Sequence, residues 1–274
     1  QAFLDGKARY VDSVHCGTVS RNDDTDRVHV NKVLATIEAR RIKARRYRIV
    51  LDSVNGAGAR VAKKLLMELG CEVIAMNDEP SGLFAHGAEP IAANLGDLCR
   101  RVQQEKADLG FAQDPDADRL AIVDENGVYI GEEYTLALAA KHVFSKQGGT
   151  AAANLSTSRM IDDIAARVGA RVLRTPVGEA HVANAMIEHG CVIGGEGNGG
   201  VIDLRVGPIR DSLVGMALVL QLMAETGKSI SGLVAEIGGY SMHKDKFAAD
   251  SQQAQEIMKR AARSAWPTTG TAPP

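Results

Sequence analysis

The sequence has 274 residues, of which 45% are hydrophobic, 24% charged and 4% aromatic. These values are typical of a globular chain with a buried core, and the length allows one large domain or two of ordinary size. The 32 basic and 34 acidic residues give a formal net charge of −2. This near-neutral charge disfavours a nucleic acid or an anionic membrane as the partner, and the scarcity of aromatic residues disfavours a base-stacking surface.

Cysteine usage and hydropathy predict a cytoplasmic protein. The four cysteines are scattered without a C-x-x-C pair, so we expect reduced thiols. The most apolar helical segment, residues 212–223, is too short to cross a membrane and has charged flanks. The first ten residues lack the regions of a signal peptide.

A strand, a turn of small residues and a helix follow one another early in the chain. Residues 47–52 are predicted as the strand, 53–58 as the turn and 59–69 as the helix. Gly70 then ends the helix, and residues 71–76 are predicted as the next strand.

The same pattern returns about a hundred residues later. Residues 151–155 and 171–175 are predicted strands on either side of a helix over 157–168, which Ser and Thr residues open. A further helix over 179–189 leads to a strand at 191–194. This alternation predicts an α/β fold of two similar three-layer α/β/α domains with mixed, largely parallel sheets.

The repeat divides the chain into three predicted segments. Residues 1–146 form the first domain together with an N-terminal connecting segment, and residues 147–245 form the second. The border is placed where glycines follow a predicted helix over 132–144. Residues 246–274 are interpreted as a C-terminal tail or the start of a linker to a further domain.

Three aspartates at alternate positions, Asp114, Asp116 and Asp118, lie between predicted strands at 107–112 and 120–124. Carboxylates this close repel one another unless they are solvated or bound to a cation. The loop follows a strand of an α/β sheet, where ligand sites tend to lie. Oxygen ligands without His or Cys favour Mg²⁺ over zinc, so the sequence predicts a magnesium site.

The acidic residues of this loop are also compatible with other kinds of site. A solvated acidic turn is the simplest, but it is less favoured for three aspartates between apolar strands. An EF-hand is excluded because Arg119 takes the glycine position and the flanks are strands. A strand followed by D-x-D is also found in haloacid-dehalogenase-like phosphatases, where Asp114 would be the nucleophile, and this remains a minor alternative.

A second loop, residues 195–200, is rich in glycine and carries Glu196 and Asn198. The Glu196 carboxylate accepts hydrogen bonds, and the Asn198 amide both donates and accepts them, which suits the neighbouring hydroxyls of a sugar. A plain glycine turn is equally compatible with these residues. A hairpin is predicted from the Asn126-Gly127 turn to a strand at 128–130.

Two helix starts lie close to these loops in the sequence. Residues 175–178, T-P-V-G, precede Glu179 at the start of a predicted helix, whose N–H groups could face an anion or a hydroxyl, although the segment by itself favours a simple strand-to-helix connection. Arg210 and Asp211 precede another predicted helix and are interpreted as a capping pair. A helix-like stretch over 28–39 lies between charged clusters.

Together these motifs resemble the α-D-phosphohexomutases, which include phosphoglucomutase, phosphomannomutase and phosphoglucosamine mutase. The family's metal loop reads D-G-D-G-D-R, and residues 114–119 keep its three acids and its arginine. One branch has a sugar loop G-E-x-N-G-G, which residues 195–200 match, and residues 175–178 match the motif T-x-V-G. The turn at residues 52–58 is similar to the first strand-to-helix turn of the family's domain II. By this resemblance the chain corresponds to domains II and III of four.

The resemblance implies an intramolecular phosphotransferase that interconverts hexose 1-phosphate and 6-phosphate. A phosphoserine of domain I would convert the hexose phosphate into a hexose bisphosphate intermediate and then take back the other phosphate. Asp114, Asp116 and Asp118 would bind Mg²⁺, and Arg119 would be a catalytic residue that clamps the phosphoserine phosphate. The implied substrate-binding residues are Gly178, Glu179, Glu196, Gly197 and Asn198.

Two family motifs are not found in the sequence, the T-A-S-H-N-P loop of domain I and the R-x-S-x-T-E-P loop of domain IV. We therefore expect this segment to lack the phosphoserine and to be inactive without domains I and IV. Ser156, Glu179 and Gly200 replace a lysine and two histidines of some members, so the choice among glucose, mannose and glucosamine phosphates stays open. A short, non-catalytic sugar-phosphate-binding module is the alternative.

Overall fold

The computed structural model of the chain describes residues 3–240 and 250–265. Its helices are α1 (Thr25–Leu34), α2 (Ala39–Arg45), α3 (Ala59–Glu68), α4 (Gly96–Glu105), α5 (Glu133–Lys146), α6 (Met160–Ala166), α7 (Glu179–His189), α8 (Ser212–Thr226), α9 (Ile230–Ile237) and α10 (Ser251–Ala265), with a 3-10 turn at Ala92–Asn94. Its strands are β1 (Arg48–Asp52), β2 (Glu72–Met76), β3 (Leu109–Gln113), β4 (Leu120–Val123), β5 (Thr150–Asn154), β6 (Arg171–Thr175), β7 (Ile193–Glu196) and β8 (Gly200–Ile202).

The eight strands form two four-stranded sheets of identical topology. The first has the order β2-β1-β3-β4 and the second β6-β5-β7-β8. In each sheet the first three strands of that order are parallel, and the fourth is antiparallel to the third. This topology confirms the predicted fold class of two α/β/α domains with mixed, largely parallel sheets.

The central strands β1 and β5 carry continuous apolar runs. Ile49, Val50 and Leu51 of β1 are fully buried, as are residues 151–153 of β5. A strand that helices cover on both faces needs such a run, because neither face meets water. The carboxyl ends of the parallel strands in each sheet therefore form an edge where connecting loops can bind a ligand.

Helix α8 is the most deeply buried helix among the described residues, with its first 13 residues, 212–224, all buried. A helix that is apolar on all sides must be enclosed by other elements. It packs against α1, α2 and α5, and it also contacts β4 of the first sheet and β8 of the second. Helix α8 therefore joins the two sheets within one compact unit, residues 1–239.

Helix α6 begins at Met160, later than the predicted start at residue 157. The Thr157 hydroxyl does not open the helix. It donates to Asn154 Oδ1 at 2.8 Å and accepts the backbone N–H of Gly197 at 2.9 Å. The prediction was wrong here because this hydroxyl contacts a loop of the second sheet.

The predicted hairpin to residues 128–130 is present but short. The backbone N–H of Asp124 donates to Val128 O at 2.9 Å, and that of Ile130 donates to Ile122 O at 3.2 Å. The structure has one isolated bridge there, between Val123 and Tyr129. The Asp124 carboxylate accepts the backbone N–H of Val128 at 2.8 Å and so holds a tight turn. This side-chain bond adds to the two backbone hydrogen bonds of the short hairpin.

The helices outside the two repeats, together with α4 of the first repeat, were the least predictable. Of the stretch predicted over 28–39, α1 covers residues 28–34 and α2 begins at the last residue, Ala39, while the backbone N–H of Glu38 between them donates to Gln221 Oε1 at 3.0 Å. Helices α4, α9 and α10 were not predicted. Helix α4 buries Leu98 and Val102, which lie one helical turn apart in a polar sequence, and this narrow apolar stripe was missed.

The predicted border at 146/147 stays a prediction. Helix α5 precedes it, yet α5 packs against α6, α8 and β7. Tyr240–Pro274 form a second unit. In it, Asp250 Oδ1 accepts the backbone N–H groups of Gln252 and Gln253 at the start of α10. Of the predicted tail at 246–274, residues 246–249 and 266–274 lie outside the described part.

Among the described residues, no single helix has both the length and the apolar composition to span a membrane. The pair formed by α8 and α9 meets those criteria, but the two helices meet at a 90° bend. The residues of α8 are buried in the core described above.

Candidate functional site

The acidic loop, residues 114–119, connects β3 to the antiparallel β4 at the carboxyl edge of the first sheet. The turn after β1 supports it, because the backbone N–H of Ala57 donates to Pro115 O at 2.8 Å. In that turn Val54 is fully buried and has φ of 47°, which is rare for a β-branched residue. Such strain persists where surrounding structure enforces it, and it is often found at functional sites.

The three aspartates of the loop converge. One carboxylate oxygen from each of Asp114, Asp116 and Asp118 lies within 4.8 Å of the others. Asp114 is buried, Asp118 is half-buried and Asp116 is exposed. Burial raises the pKa of Asp114 to about 7, the negative charges of Asp118 and Asp116 add to this rise, and a hydrogen bond from the backbone N–H of Arg119 opposes it.

The turn of the loop requires a left-handed backbone at Ala117, where φ is 61°. The D-G-D-G-D-R pattern has glycine at this position. A Cβ on Gly58 would lie 2.5 Å from the Ala117 side chain, so Gly58 gives the alanine its space. The carbonyl of Ala117 accepts the backbone N–H of Ser212 at 3.2 Å. The tip of the acidic loop is thus held against the start of α8.

The loop has the chemistry of a site for a hard divalent cation. Asp118 Oδ1 is buried and accepts no hydrogen bond from the described residues. A buried oxygen without a donor is costly unless a cation compensates it. Arg119 Nε lies 3.6 Å from this oxygen, beyond hydrogen-bond distance, and 3.4 Å from Asp114 Oδ2. Three converging carboxylates fit the oxygen ligands that Mg²⁺ prefers.

The glycine loop, residues 195–200, connects β7 to the antiparallel β8 and carries Glu196 at the end of β7. Glu196 is only 4% exposed. Its Oε1 accepts Asn154 Nδ2 at 2.5 Å and the backbone N–H of Gly178 at 3.2 Å. Its Oε2 accepts Asn198 Nδ2 at 3.3 Å and Arg210 Nη1 at 2.5 Å. The carboxylate is therefore fixed by donors from four different segments.

Arg210 joins the two loops. Its Nη2 contacts Asp118 Oδ2 of the acidic loop, while Nη1 contacts Glu196 of the glycine loop. The backbone N–H of Arg210 donates to Glu179 Oε1 at 2.6 Å. Burial lowers the pKa of Arg210, but the nearby carboxylates of Asp118, Glu196 and Glu179 raise it by more.

The backbones of the two loops also meet. The N–H of Leu120, which follows the acidic loop, donates to Gly199 O at 3.0 Å. Gly199 has φ of 91°, and a Cβ on it would lie 2.5 Å from Leu120 O. Glycine is needed at this position both for the left-handed backbone and for the close approach.

The structure therefore brings all the residues predicted for the site into one region. Asp114, Asp116, Asp118 and Arg119 lie on the acidic loop, and the predicted substrate-binding residues surround Glu196. Their roles stay predictions.

Sequence reasoning missed three side chains of this region. Arg210 was interpreted as part of a capping pair, and its neighbour Asp211 does cap α8. Asn154 and Thr157 were not singled out, although both contact the glycine loop. Their hydrogen-bonding side chains at the carboxyl end of β5 were the available signal.

Two family models match this chain. The model described as phosphoglucomutase/phosphomannomutase, alpha/beta/alpha domain II matches residues 27–127. The model described as alpha/beta/alpha domain III of the same family matches residues 131–240.

Similar proteins carry mutase names. A relative from Methanopyrus kandleri, named "Probable phosphoglucosamine mutase", is 36% identical over 261 residues, which are 94% of this chain and 57% of that protein. A crystal structure from Thermus thermophilus, assigned as a phosphomannomutase, is 29% identical with a TM-score of 0.75 and covers 81% of this chain and 52% of its own. A third similar structure is the Aspergillus fumigatus N-acetylphosphoglucosamine mutase in complex with GlcNAc-6P and magnesium. It is 16% identical with a TM-score of 0.56, and the match covers 77% of this chain and 53% of that protein. This likeness is one of fold alone.

The chain thus spans about half the length of the proteins it matches. The matched residues include both loops and all the strands. The chain belongs to the phosphoglucomutase/phosphomannomutase family, of which it carries the α/β/α domains II and III.

Proposed function

We propose that this chain supplies the cation-binding and sugar-binding parts of a phosphohexomutase that interconverts hexose 1-phosphate and 6-phosphate. The proposal depends on the contact between the acidic loop and the glycine loop. Arg210 contacts a carboxylate of each loop, and the Leu120–Gly199 hydrogen bond joins their backbones. Family membership favours this function over the haloacid-dehalogenase-like phosphatase hypothesis.

Asp114, Asp116 and Asp118 would hold Mg²⁺. The buried Oδ1 of Asp118, which has no hydrogen-bond donor among the described residues, supports this assignment. A bound Mg²⁺ supplies positive charge that offsets the negative charge on a transferring phosphoryl group. The A. fumigatus relative was solved with magnesium, which is consistent with this ion.

Arg119 would place its guanidinium on the phosphoryl group beside the cation. Its Nε is buried and makes no hydrogen bond in the described part of the chain, although it lies 3.4 Å from Asp114 Oδ2. A guanidinium with unused donors can bind a phosphate through two parallel hydrogen bonds.

The glycine loop would bind the hexose ring. Gly178, Glu179, Glu196, Gly197 and Asn198 are the proposed contacts. Glu196 already accepts four hydrogen bonds, so a sugar hydroxyl would replace one of these donors. Such an exchange needs little reorganisation because the carboxylate is already fixed.

Transfer through a hexose bisphosphate also requires a phosphoserine. The sequence contains no T-A-S-H-N-P motif, so we propose that domains I and IV supply the phosphoserine and the second phosphate site. The chain on its own would bind ligands without turnover. Glucose, mannose and glucosamine phosphates stay open as substrates, and a cytoplasmic location stays a prediction.

Calorimetric titration of the 274-residue chain with Mg²⁺, and then with N-acetylglucosamine 6-phosphate, tests this proposal. We expect saturable binding of both, and loss of Mg²⁺ binding in Asp116→Asn. Absence of Mg²⁺ binding would refute the cation assignment. A coupled mutase assay with glucose 1,6-bisphosphate tests the inactivity of the chain, and sustained turnover would contradict it.

A further inference from the structure

Arg210 is placed to transmit binding at one loop to the other. It lies just before α8, and its side chain is 12% exposed. Its two terminal nitrogens contact carboxylates that are far apart in sequence, Asp118 and Glu196. A planar guanidinium can hold two carboxylates in one fixed geometry, whereas a lysine ammonium acts as a point charge.

The two oxygens of Asp118 have different surroundings. Oδ2 accepts Arg210 Nη2, while Oδ1 accepts no hydrogen bond among the described residues. A cation bound through Oδ1 would share the charge of this carboxylate with Arg210. The two positive groups repel each other, so the arginine weakens cation binding at the same time as it holds Glu196.

Gly200 provides the space that Arg210 occupies. A Cβ on Gly200 would lie 2.9 Å from Arg210 Cγ and closer still to Cδ. The backbone of Gly200 does not have positive φ, so alanine is not strained there, and besides the arginine its Cβ would press on Asn198 Oδ1 at 3.2 Å. Gly200→Ala should therefore displace the arginine without removing its charge.

We propose that Arg210 is a positioning residue that couples cation binding at the acidic loop to sugar-phosphate binding at the glycine loop. This inference rests on the proposed function. The arginine holds Glu196 in its hydrogen-bonded position and partly neutralises the charge of Asp118. It follows that its removal has opposite effects on the two ligands, and that each ligand changes the affinity of the other by the same factor.

The test compares Arg210→Met, Arg210→Lys and Gly200→Ala by titration of the 274-residue chain with Mn²⁺ and, separately, with N-acetylglucosamine 6-phosphate. In Arg210→Met we expect Mn²⁺ to bind about threefold more tightly or better, because a positive charge beside Asp118 is lost. We expect the sugar phosphate to bind about tenfold more weakly, because Glu196 loses a charge-assisted hydrogen bond. Opposite signs separate a positioning role from general damage, which would weaken both.

The two other variants keep the test decisive if Arg210→Met unfolds. Arg210→Lys keeps the charge and loses the planar fork, so Mn²⁺ affinity should stay near the wild-type value while sugar-phosphate affinity falls. Gly200→Ala should also weaken sugar-phosphate binding, and adding it to Arg210→Met should cause little further loss, because its main clash is with the same side chain.

The outcomes distinguish this inference from the proposed function. If wild-type chain binds neither Mn²⁺ nor the sugar phosphate, the proposed function fails. If it binds both but Arg210→Met weakens both or changes neither, the coupling role is overturned and the proposed function stands. Equal Mn²⁺ affinity with and without saturating sugar phosphate in the wild-type chain would also overturn the coupling.

Discussion

The acidic loop and the glycine loop occupy equivalent places in two sheets of the same topology, yet they surround their acids differently. Each loop connects the third strand of its sheet to the antiparallel fourth. In the acidic loop, burial and neighbouring aspartates raise the pKa of Asp114 to about 7. In the glycine loop, Glu196 is as deeply buried but accepts hydrogen bonds from four donors.

This comparison shows how one scaffold can support two kinds of binding. Acids that repel one another gain most from a cation, because it removes the repulsion as well as the cost of burial. An acid that already has its donors gains nothing from a cation and is suited to exchange hydrogen bonds with hydroxyls. The fold fixes where the loops lie, and the residues around each acid decide its chemistry.

The largest expected effect comes from separating the loops. Gly199→Ala places a Cβ 2.5 Å from Leu120 O and forces alanine into φ of 91°. We expect the free energy of unfolding to fall by about 2–4 kcal/mol, from the clash and the backbone strain together. Urea denaturation followed by circular dichroism measures this.

Gly190→Ala is the matched control for that variant. Gly190 ends α7 with φ of 60°, and a Cβ there would meet no atom within 4 Å. We expect a loss of about 1–2 kcal/mol from backbone conformation alone. Equal losses in the two variants would mean that the contact between the loops contributes little to stability.

A pair of charge-neutralising variants tests whether the two loops have separate ligands. Asp114→Asn removes a buried charge and should weaken Mg²⁺ binding by about tenfold or more, because one carboxylate ligand is lost. Glu196→Gln should change Mg²⁺ affinity much less than Asp114→Asn does, because it acts on the cation through Arg210, and it should weaken binding of N-acetylglucosamine 6-phosphate by about tenfold. Calorimetric titration measures both, and an equal fall in Mg²⁺ affinity in the two variants would contradict separate roles.

A smaller effect concerns the hydrogen bond that holds the capping residue of α8, next to Arg210. His29 Nε2 lies 2.7 Å from Oδ2 of Asp211, which caps α8 beside Arg210. This hydrogen bond raises the pKa of His29 against the opposing effect of burial. A histidine whose folded-state pKa is raised gives stability that is complete below its unfolded pKa of about 6.5 and is lost as pH rises through the folded value.

We therefore expect His29→Gln to lower stability at pH 5.5 by less than about 1 kcal/mol, as for a partly exposed ion pair, and to have less effect at about pH 8.5. Thermal unfolding across this pH range measures the difference. His15, which is exposed and bonds Asp12, gives the control substitution His15→Gln. A loss from His29→Gln that grows with rising pH would show that the charged pair does not stabilise the fold.

The smallest expected effect comes from Ala117→Gly. Glycine relieves the left-handed backbone at φ of 61° but adds freedom to the unfolded chain, so stability should change by less than about 1 kcal/mol. A looser acidic loop should weaken Mg²⁺ binding by about twofold. Lys106→Gly, at φ of 50° at the end of α4, should leave Mg²⁺ binding unchanged. Equal Mg²⁺ affinity in wild type and Ala117→Gly would mean that the alanine does not preorganise the loop.

The sequence by itself determined the repeated strands and the positions of both loops. The apolar run of β1 and the glycines after α3 and α7 act locally, so their pattern is visible without the fold. The same is true of the acidic loop, because Asp114, Asp116 and Asp118 are close along the chain. Family membership was also predictable, because it depends on motif order and spacing.

Only the tertiary structure decided which residues complete the site. Arg210 is 92 residues from Asp118, and no local pattern predicts that one guanidinium contacts both that aspartate and Glu196. Threonine is a common helix-capping residue, so local preference predicts a helix start at Thr157. In the fold, however, its hydroxyl accepts a hydrogen bond from a backbone N–H 40 residues away. Local signals determine which segments fold into strands, helices and loops, whereas the packing of α8 between the sheets determines which side chains meet.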